Sequence, residues 1–488
     1  MPKLEELLDT VPVQQITGET NLFIQDICLD SREVSAGSLF VAIPGSTQDG
    51  HQYIPAAIAA GSKTIVCERE PETILPGITY VYVKNASQAL GIIASNFYQN
   101  PSKKLKLVAV TGTSGKTSTV HLLHGLFRQL GYGTGILSTI HNKINDQIFP
   151  STLTTPNSID INKSLAQMVA AGCTYCFMEA SSHAIIQNRL AGLDLTGAIF
   201  LNISHDHLDY HLTFDEYIKA KKRLFDELPA TAFALYNTDD KRGKIMIQNT
   251  LATTYSLAMR NPADFTAQLL ANTWQGLELR IGGQNVWFQL LGSFNTYNLL
   301  TAYAVASLLQ QPSQDILVAL SAIKPILGRF QHLRTPKKLD IIIDYAHKPE
   351  ALEKVLLAIH QIRKMASQKG KIITIVGCGG NRDVQKRPMM AKIGYKLSDQ
   401  LILTSDNPRY EDPKMIIEAM KQGLTQAQQL KTLSIIDRPE AIRVAYQMSQ
   451  PGDIILIAGK GHENYQEIAG TKYPMSDEEI VTKLISAE

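Results

Sequence analysis

Residues 107–119 read LVAVTGTSGKTST. Leu107-Val108-Ala109-Val110 is an unbroken apolar run, the pattern of a strand buried on both faces. It gives way to Thr111-Gly112-Thr113-Ser114-Gly115-Lys116-Thr117-Ser118. The glycines allow a tight turn that aims backbone N–H groups inward. Lys116 adds a point charge, and Thr117 offers a hydroxyl to a metal. A helix follows from about Val120, and its N-terminus favours an anion. Strand, turn and helix together predict a cradle for the phosphates of ATP, built from Gly112, Thr113, Ser114, Gly115, Lys116, Thr117 and Ser118. The spacing departs from the common Walker A loop, which would need a glycine where Val110 stands. This shorter loop narrows the class to a smaller set of ATP users.

Moving outward, the chain alternates strand and helix patterns. Early strands are predicted at Leu39–Ile43, Thr64–Cys67 and Tyr80–Val83, with helices over Ile54–Ala60 and Ala86–Tyr98. Asn100–Lys104 reads as a polar, proline-containing linker. Beyond the loop, strands are expected at Tyr175–Glu179, Ala198–Asn202 and Phe233–Asn237. Alternation and turn signals over Trp274–Leu291 indicate an antiparallel appendage. Gln331–Lys338 reads as a second polar linker. The strands that follow, Ile341–Asp344, Ile372–Val376, Gln400–Leu403 and Ile454–Ala458, are separated by helical patterns, which indicates a doubly wound parallel sheet. In such sheets ligands bind at the carboxyl ends of strands.

Chemistry-bearing residues cluster at those ends. Glu179-Ala180-Ser181-Ser182-His183 follows one strand, and Asn202-Ile203-Ser204-His205-Asp206-His207 the next. A glutamate and a histidine facing a phosphate loop can hold magnesium already bound to ATP. Zinc on His205, His207 and His211 is the alternative, although glutamate and threonine oxygens favour magnesium. Asn295 and Asn298, three apart at a helix start, can offer amides to an adenine edge, or Asn295 can simply cap the helix. Arg329, beside the second linker, is placed to reach phosphates. Asp344 ends a strand and can accept from ribose hydroxyls.

Composition bounds the rest. The 488 residues suit about three domains. A net charge of +2 supplies no basic field for nucleic acid or a membrane surface. No apolar run is long enough to span a bilayer, and the N-terminus lacks a signal-peptide core. Five scattered cysteines point to a reducing, cytoplasmic setting. Cys173 and Cys176 form a lone Cys-x-x-Cys and read as small buried residues.

The loop at 111–117, Glu179–His183, Asn202 with Asp206–Asp209, Asn295 with Asn298, and Asp344-Tyr345-Ala346-His347 occur in order across nearly the whole chain. Together they resemble the Mur ligases, the ATP-dependent amide-forming enzymes of peptidoglycan synthesis. The resemblance implies a three-domain α/β architecture. A UDP-binding domain would cover 1–99, a P-loop-type ATPase domain 100–331, and a Rossmann-like amino-acid-binding domain 332–488. It implies ATP as co-substrate, Mg2+ as cofactor, a cytoplasmic monomer, and an ADP-forming acid–amino-acid ligase.

Within the family, the N-terminal motifs resemble members that extend UDP-N-acetylmuramoyl-L-alanyl-D-glutamate. The resemblance assigns that substrate to Leu29, Ser31, Ser46, Thr47, Gln48, Thr154, Thr155, Ser181, Gln187 and Arg189. It implies that ATP phosphorylates the D-glutamate carboxylate and that an amine attacks the acyl phosphate. Lys116, His207 and Lys221 carry catalytic roles in this reading. Thr117, Glu179, His207 and a carbamylated Lys221 would hold metal, although Lys219 and Lys222 lie close by. The turn Asp406-Asn407-Pro408-Arg409, with Arg382, Gly459 and Glu463, resembles the site of diaminopimelate-adding members. An arginine there fits the distal carboxylate of meso-diaminopimelate, which L-lysine lacks, and Glu463 can accept the distal ammonium. The alternatives are L-lysine as the added residue, or a folylpolyglutamate synthetase-like ligase. A GTPase is disfavoured because Asn237-Thr238-Asp239-Asp240 has no lysine at its second place.

Overall fold

The computed structural model describes residues 1–45 and 48–487, with the backbone only at Leu208 and Asp209. The chain divides into two compact units, Met1–Leu257 and Ala258–Glu488.

The first unit holds two sheets. The smaller runs in the order Val13–Thr17, Thr79–Val83, Thr64–Cys67, Ser38–Val41, Asp26–Cys28, and is parallel except for its first pair. Alternation sends Leu39, Val41, Val66 and Val81 to one face, under Leu90 and Ile93 of helix Ala86–Phe97. It sends Phe40, Ile65 and Tyr80 to the other, against Ile54 and Ala57. Burying both faces is what the apolar strands require.

The larger sheet places Lys106–Thr111 at its centre. Gly197–Phe200, Phe233–Asn237 and Thr253–Ala258 extend it on one side, and Tyr175–Glu179 then Thr134–Leu137 on the other, all parallel. A hairpin, His141–Ile144 with Gln147–Pro150, closes that side antiparallel. Leu107 to Val110 are fully buried, so the central strand is fixed by packing on both faces. Its carboxyl end feeds the glycine loop.

One expectation gains detail here. Asn100–Lys104 is ordered. Pro101–Lys104 forms a 3-10 turn in which Pro101 and Ser102 are buried, and Ser102 Oγ accepts from the Asp194 N–H at 3.0 Å. Proline at the start of a turn has no donor to lose, so a polar-looking stretch can dock.

The second unit opens with a meander whose last two strands, Gly276–Ile281 and Gln284–Phe288, fall within the expected appendage and whose first, Phe265–Thr273, precedes it; helices Asn295–Leu308 and Ser313–Ser321 follow. Its six-stranded sheet runs Gln331–Arg334, Asp340–Asp344, Ile454–Ala458, Ile372–Val376, Gln400–Leu403, Leu433–Ser434. Helices Pro349–Met365 and Lys386–Leu397 cover one face, Arg438–Met448 and Asp477–Ser486 the other. This is the doubly wound arrangement expected, with a second such detail. The start of the supposed linker, Gln331–Arg334, is an antiparallel edge strand on Asp340–Asp344. A hairpin, Tyr465–Ile468 with Thr471–Pro474, was not foreseen. Among the described residues no helix is long and apolar enough to cross a membrane.

Candidate active site

The loop after Lys106–Thr111 turns through Gly115, whose φ of +90° is a left-handed value that suits glycine. Helix Lys116–Gln129 starts immediately afterwards. Asn202, at the end of the neighbouring strand, braces the turn. Its Oδ1 accepts from Ser114 N–H at 2.9 Å, and its Nδ2 donates to Ser114 O at 3.0 Å. Thr113 N–H donates to Asn202 O at 2.9 Å, and Thr113 Oγ1 lies 3.1 Å from Tyr217 Oη. Lys116 Nζ donates to Gly112 O at 2.7 Å, folding its charge over the loop. Thr117 is buried, and Ser118 sits half-buried in the first helical turn.

Thr117 and Glu179 are brought together as the sequence suggests. Glu179 is 1% exposed. Its Oε1 accepts from Thr117 Oγ1 at 2.9 Å, Thr139 N–H at 2.8 Å and Thr139 Oγ1 at 3.0 Å. Thr139 went unread, although Ser138-Thr139 is a polar pair just past Thr134–Leu137, the strand beside Tyr175–Glu179. Thr139 Oγ1 also lies 3.1 Å from Thr154 Oγ1. Thr155 Oγ1 donates to Glu179 O at 2.7 Å and lies 3.2 Å from Ser181 Oγ. Arg189 donates through Nη1 to Thr155 O and through Nη2 to Gln187 Oε1, both at 2.6 Å. Thr154, Thr155, Ser181, Gln187 and Arg189 thus form one hydrogen-bonded network against Glu179, with polar groups from four chain segments.

Of the three lysines on helix Phe214–Asp226, only Lys221 is buried. Its Nζ donates to Gly112 O at 3.2 Å and Thr111 Oγ1 at 3.3 Å, and sits 4.8 Å from the Tyr217 ring centre. Lys219 and Lys222 instead pair with Glu216 and Asp226 on their own helix. His207 has a φ of +53°, and its Nε2 lies 3.1 Å from Asp206 Oδ2. Its ring centre is 5.0 Å from that of His183. His205 is exposed, and buried His211 bonds Ser182 Oγ at 2.9 Å. Among the described residues no three His, Cys, Asp or Glu side chains gather as a metal cage. The oxygen pair Thr117 and Glu179 suits a hard cation that also takes phosphate and water oxygens.

In the smaller sheet's loops, Leu29 is exposed and Ser31 opens a 3-10 turn capped by Asp30. Gln48 O accepts from Gly45 N–H. Ser46 and Thr47 lie outside the described residues.

In the second unit, Asp344 Oδ2 accepts from Phe330 N–H at 2.7 Å. Burial pushes the Asp344 carboxyl up to about 6, against the pull of Arg329 and of that N–H. The Arg329 guanidinium lies 4.5 Å over the Tyr345 ring. Asn298 Nδ2 donates to Asn295 Oδ1 at 2.7 Å, and Asn295 Nδ2 to Leu291 O at 2.7 Å. Both amides are buried and hold each other.

The turn Asp406–Arg409 meets the segment after Ile454–Ala458 at many points. Asn407 Nδ2 donates to Glu463 Oε2 at 2.9 Å, and its Oδ1 accepts from Lys460 Nζ at 3.0 Å. Lys460, fully buried, also donates to Glu463 Oε2 at 2.9 Å. Asp406 is buried. Burial pushes its carboxyl up, but Lys460, Arg438 and the Asn407 N–H together hold it below its ordinary value. Gly459 adopts φ +118°, and a Cβ there would come within 2.7 Å of Asp406 Oδ2. A Cβ on Gly380 would meet Pro408 O at 2.0 Å, so the turn closes only over glycine. Arg409 Nη1 donates to Gly380 O at 2.9 Å. Arg382 is exposed nearby, its Cγ 3.8 Å from where a Gly379 Cβ would stand. Lys460 was missed because a lysine between glycines reads as solvated.

The fold and these sites define an ATP-dependent ligase of the Mur type, and comparison with known proteins agrees. The Mur ligase family, catalytic domain matches residues 23–98, the Mur ligase middle domain 110–306, and the Mur ligase, glutamate ligase domain 328–461. The chain belongs to the Mur ligase family. It is 51% identical over 484 residues to the UDP-N-acetylmuramoyl-L-alanyl-D-glutamate--2,6-diaminopimelate ligase of Cytophaga hutchinsonii, covering 99% of both chains. It is 38% identical to the protein of the same name from Bacillus licheniformis, again over 99% of each. A solved structure of a ligase of that name superposes with a TM-score of 0.70 at 30% identity, over 100% of this chain and 99% of the other. A folylpolyglutamate synthase from Thermotoga maritima shares the fold, with a TM-score of 0.58 at 13% identity over 76% of this chain and 90% of its own.

Proposed function

We propose that this chain ligates meso-diaminopimelate to the D-glutamate carboxylate of UDP-N-acetylmuramoyl-L-alanyl-D-glutamate, a cytoplasmic step of peptidoglycan precursor synthesis. A carboxylate oxygen attacks the γ-phosphorus of ATP and ADP leaves. The amine then attacks the acyl carbon and phosphate leaves. Phosphoryl transfer calls for positioning and charge neutralisation rather than covalent help. Gly112–Ser118 and Lys116 supply both. Magnesium arriving with ATP would be held by Thr117, Glu179 and His207 and would neutralise phosphate charge. Lys221, buried beneath the loop, is the lysine proposed to carry a carbamate. If it does, a high-resolution density map with bicarbonate present shows the added carboxyl group, and plain amine density removes it from the mechanism.

Thr154, Thr155, Ser181, Gln187 and Arg189, with Leu29, Ser31, Ser46, Thr47 and Gln48, are the proposed contacts of the muramoyl dipeptide. Asn295, Asn298, Arg329 and Asp344 are the proposed nucleotide contacts of the second unit. A monomer suffices for this chemistry.

One observation carries the choice of amine: Arg409 projects from a turn whose partner Glu463 is already fixed. Arginine matches a distal carboxylate and glutamate a distal ammonium, and diaminopimelate offers both. The full-length likeness to diaminopimelate ligases points the same way, and nothing favours L-lysine or a folate substrate. The test is phosphate release from ATP and magnesium with each acceptor and amine. Release is expected only with the UDP-muramoyl dipeptide plus meso-diaminopimelate. Equal release with L-lysine would overturn the choice of amine.

A further inference from the structure

The hairpin Tyr465–Ile468 with Thr471–Pro474 has no role in the reading above, yet it is joined to the Asp406–Arg409 turn along its length. Gln466 Nε2 donates to Asp406 O at 2.7 Å, and Glu467 N–H donates to Asn407 Oδ1 at 2.9 Å. Arg409 N–H donates to Glu467 O at 3.0 Å, and Ala469 N–H to Arg409 O at 2.7 Å. These bonds hold Arg409 at a φ of +51°, a left-handed conformation that a side-chain-bearing residue rarely adopts. The side chain is held as well. Arg409 Nε lies 3.1 Å from Glu467 Oε2, while its Nη1 is on Gly380 O.

We propose that Glu467 is a positioning residue for substrate recognition: its carboxylate locks the Arg409 guanidinium by the Nε edge, so that the Nη end of the fork faces an incoming substrate carboxylate. A guanidinium has five N–H donors in a rigid fork. Pairing Nε with Glu467 and giving one Nη1 hydrogen to Gly380 leaves three N–H donors, one on Nη1 and two on Nη2, for a substrate carboxylate. Orientation set before binding lowers the ordering cost of the clamp. The proposal rests on the reading of Arg409 as the distal-carboxylate clamp.

The experiment is steady-state kinetics of the full-length enzyme with meso-diaminopimelate, ATP and the muramoyl dipeptide. Glu467→Ala is expected to raise KM for diaminopimelate roughly five- to tenfold with kcat and the other two KM values little changed. Glu467→Gln keeps an acceptor for Nε and is expected to restore most of that loss. In an Arg409→Ala background, Glu467→Ala should have no further effect on the diaminopimelate KM. If Arg409→Ala raises that KM but Glu467→Ala does not, the positioning role is wrong and the clamp stands. If Arg409→Ala leaves it unchanged, the clamp itself is wrong. An effect of Glu467→Ala that persists without Arg409, or that spreads to ATP, means Glu467 only docks the hairpin, and the proposal fails. A Glu467→Gln variant as poor as Glu467→Ala also counts against it.

Discussion

Glu179 ends one parallel strand and Glu463 lies a short turn past the end of another, and both accept several hydrogen bonds, but from different donors. Glu179 accepts from the hydroxyls of Thr117 and Thr139 and one backbone N–H. Glu463 accepts from the Lys460 ammonium and the Asn407 amide. Neutral donors orient a carboxylate and leave its charge to act on a cation. An ammonium cancels that charge. With Asp406 beside it, the Asp406–Lys460–Glu463 cluster has a formal charge of −1 and can take one further ammonium. In the proposed reaction the same side chain would serve a hard cation on a nucleotide in one unit and the end of an amino acid in the other, with the neighbours deciding which.

The largest effect expected from this contrast is at Glu179. Glu179→Gln keeps the hydrogen bonds but removes the charge, and kcat should fall by about 10³-fold. The magnesium requirement should rise and the diaminopimelate KM stay put. A magnesium titration of ADP release checks this; an unaltered titration would show that Glu179 only braces the loop. Next comes Arg409→Ala, with a loss of more than about 100-fold in kcat/KM for diaminopimelate, because a site built for a polar group discriminates strongly. Unchanged constants for that substrate refute the assignment. Glu463→Gln should raise the diaminopimelate KM by about tenfold and leave the magnesium titration alone. A shift in magnesium demand there would erase the distinction between the two carboxylates.

The smallest effect concerns pH and Asp344. Its carboxyl is raised from 3.8 to about 6 by burial. The native state therefore binds a proton more tightly than the unfolded chain. The stability this provides is fully present below pH 3.8 and is lost as pH rises through about 6. Asp344→Asn can still accept from Phe330 and does not titrate. Its stability relative to the parent should climb between those pH values and level off above, measured by urea unfolding. A difference that is flat across the window contradicts the buried-carboxyl account.

Much of this was legible along the chain. Leu107–Val110 could only be a doubly buried strand, and Gly115 before Lys116 could only turn and start a helix, because these preferences act within a few residues. The strands around Thr64–Cys67, Tyr175–Glu179 and Ile372–Val376 were readable for the same reason. That the two expected linkers carry ordered structure was not legible, because polarity is a poor guide when a segment is short. Pro101–Lys104 needs few donors satisfied to dock, and Gln331–Arg334 sits at a sheet edge where one face stays wet. The resemblance pointed to Lys221, and the helix rotation that turns it, rather than Lys219 or Lys222, under the loop is visible only in the fold.

From sequence came the chemistry available at each strand end: a phosphate loop with a threonine, a buried-strand glutamate, an arginine in a proline turn. Those are set by residue type and by local spacing. The partners came from the folded chain. Thr139 reaches Glu179 from beyond a neighbouring strand, Lys460 bonds Glu463 and helps hold Asp406 ionised from within a glycine turn, and Glu467 seizes Arg409 from a hairpin. Charge balance and side-chain orientation depend on what lies within a few ångströms, and segments tens of residues apart are brought that close by sheet register and core packing, not by sequence proximity.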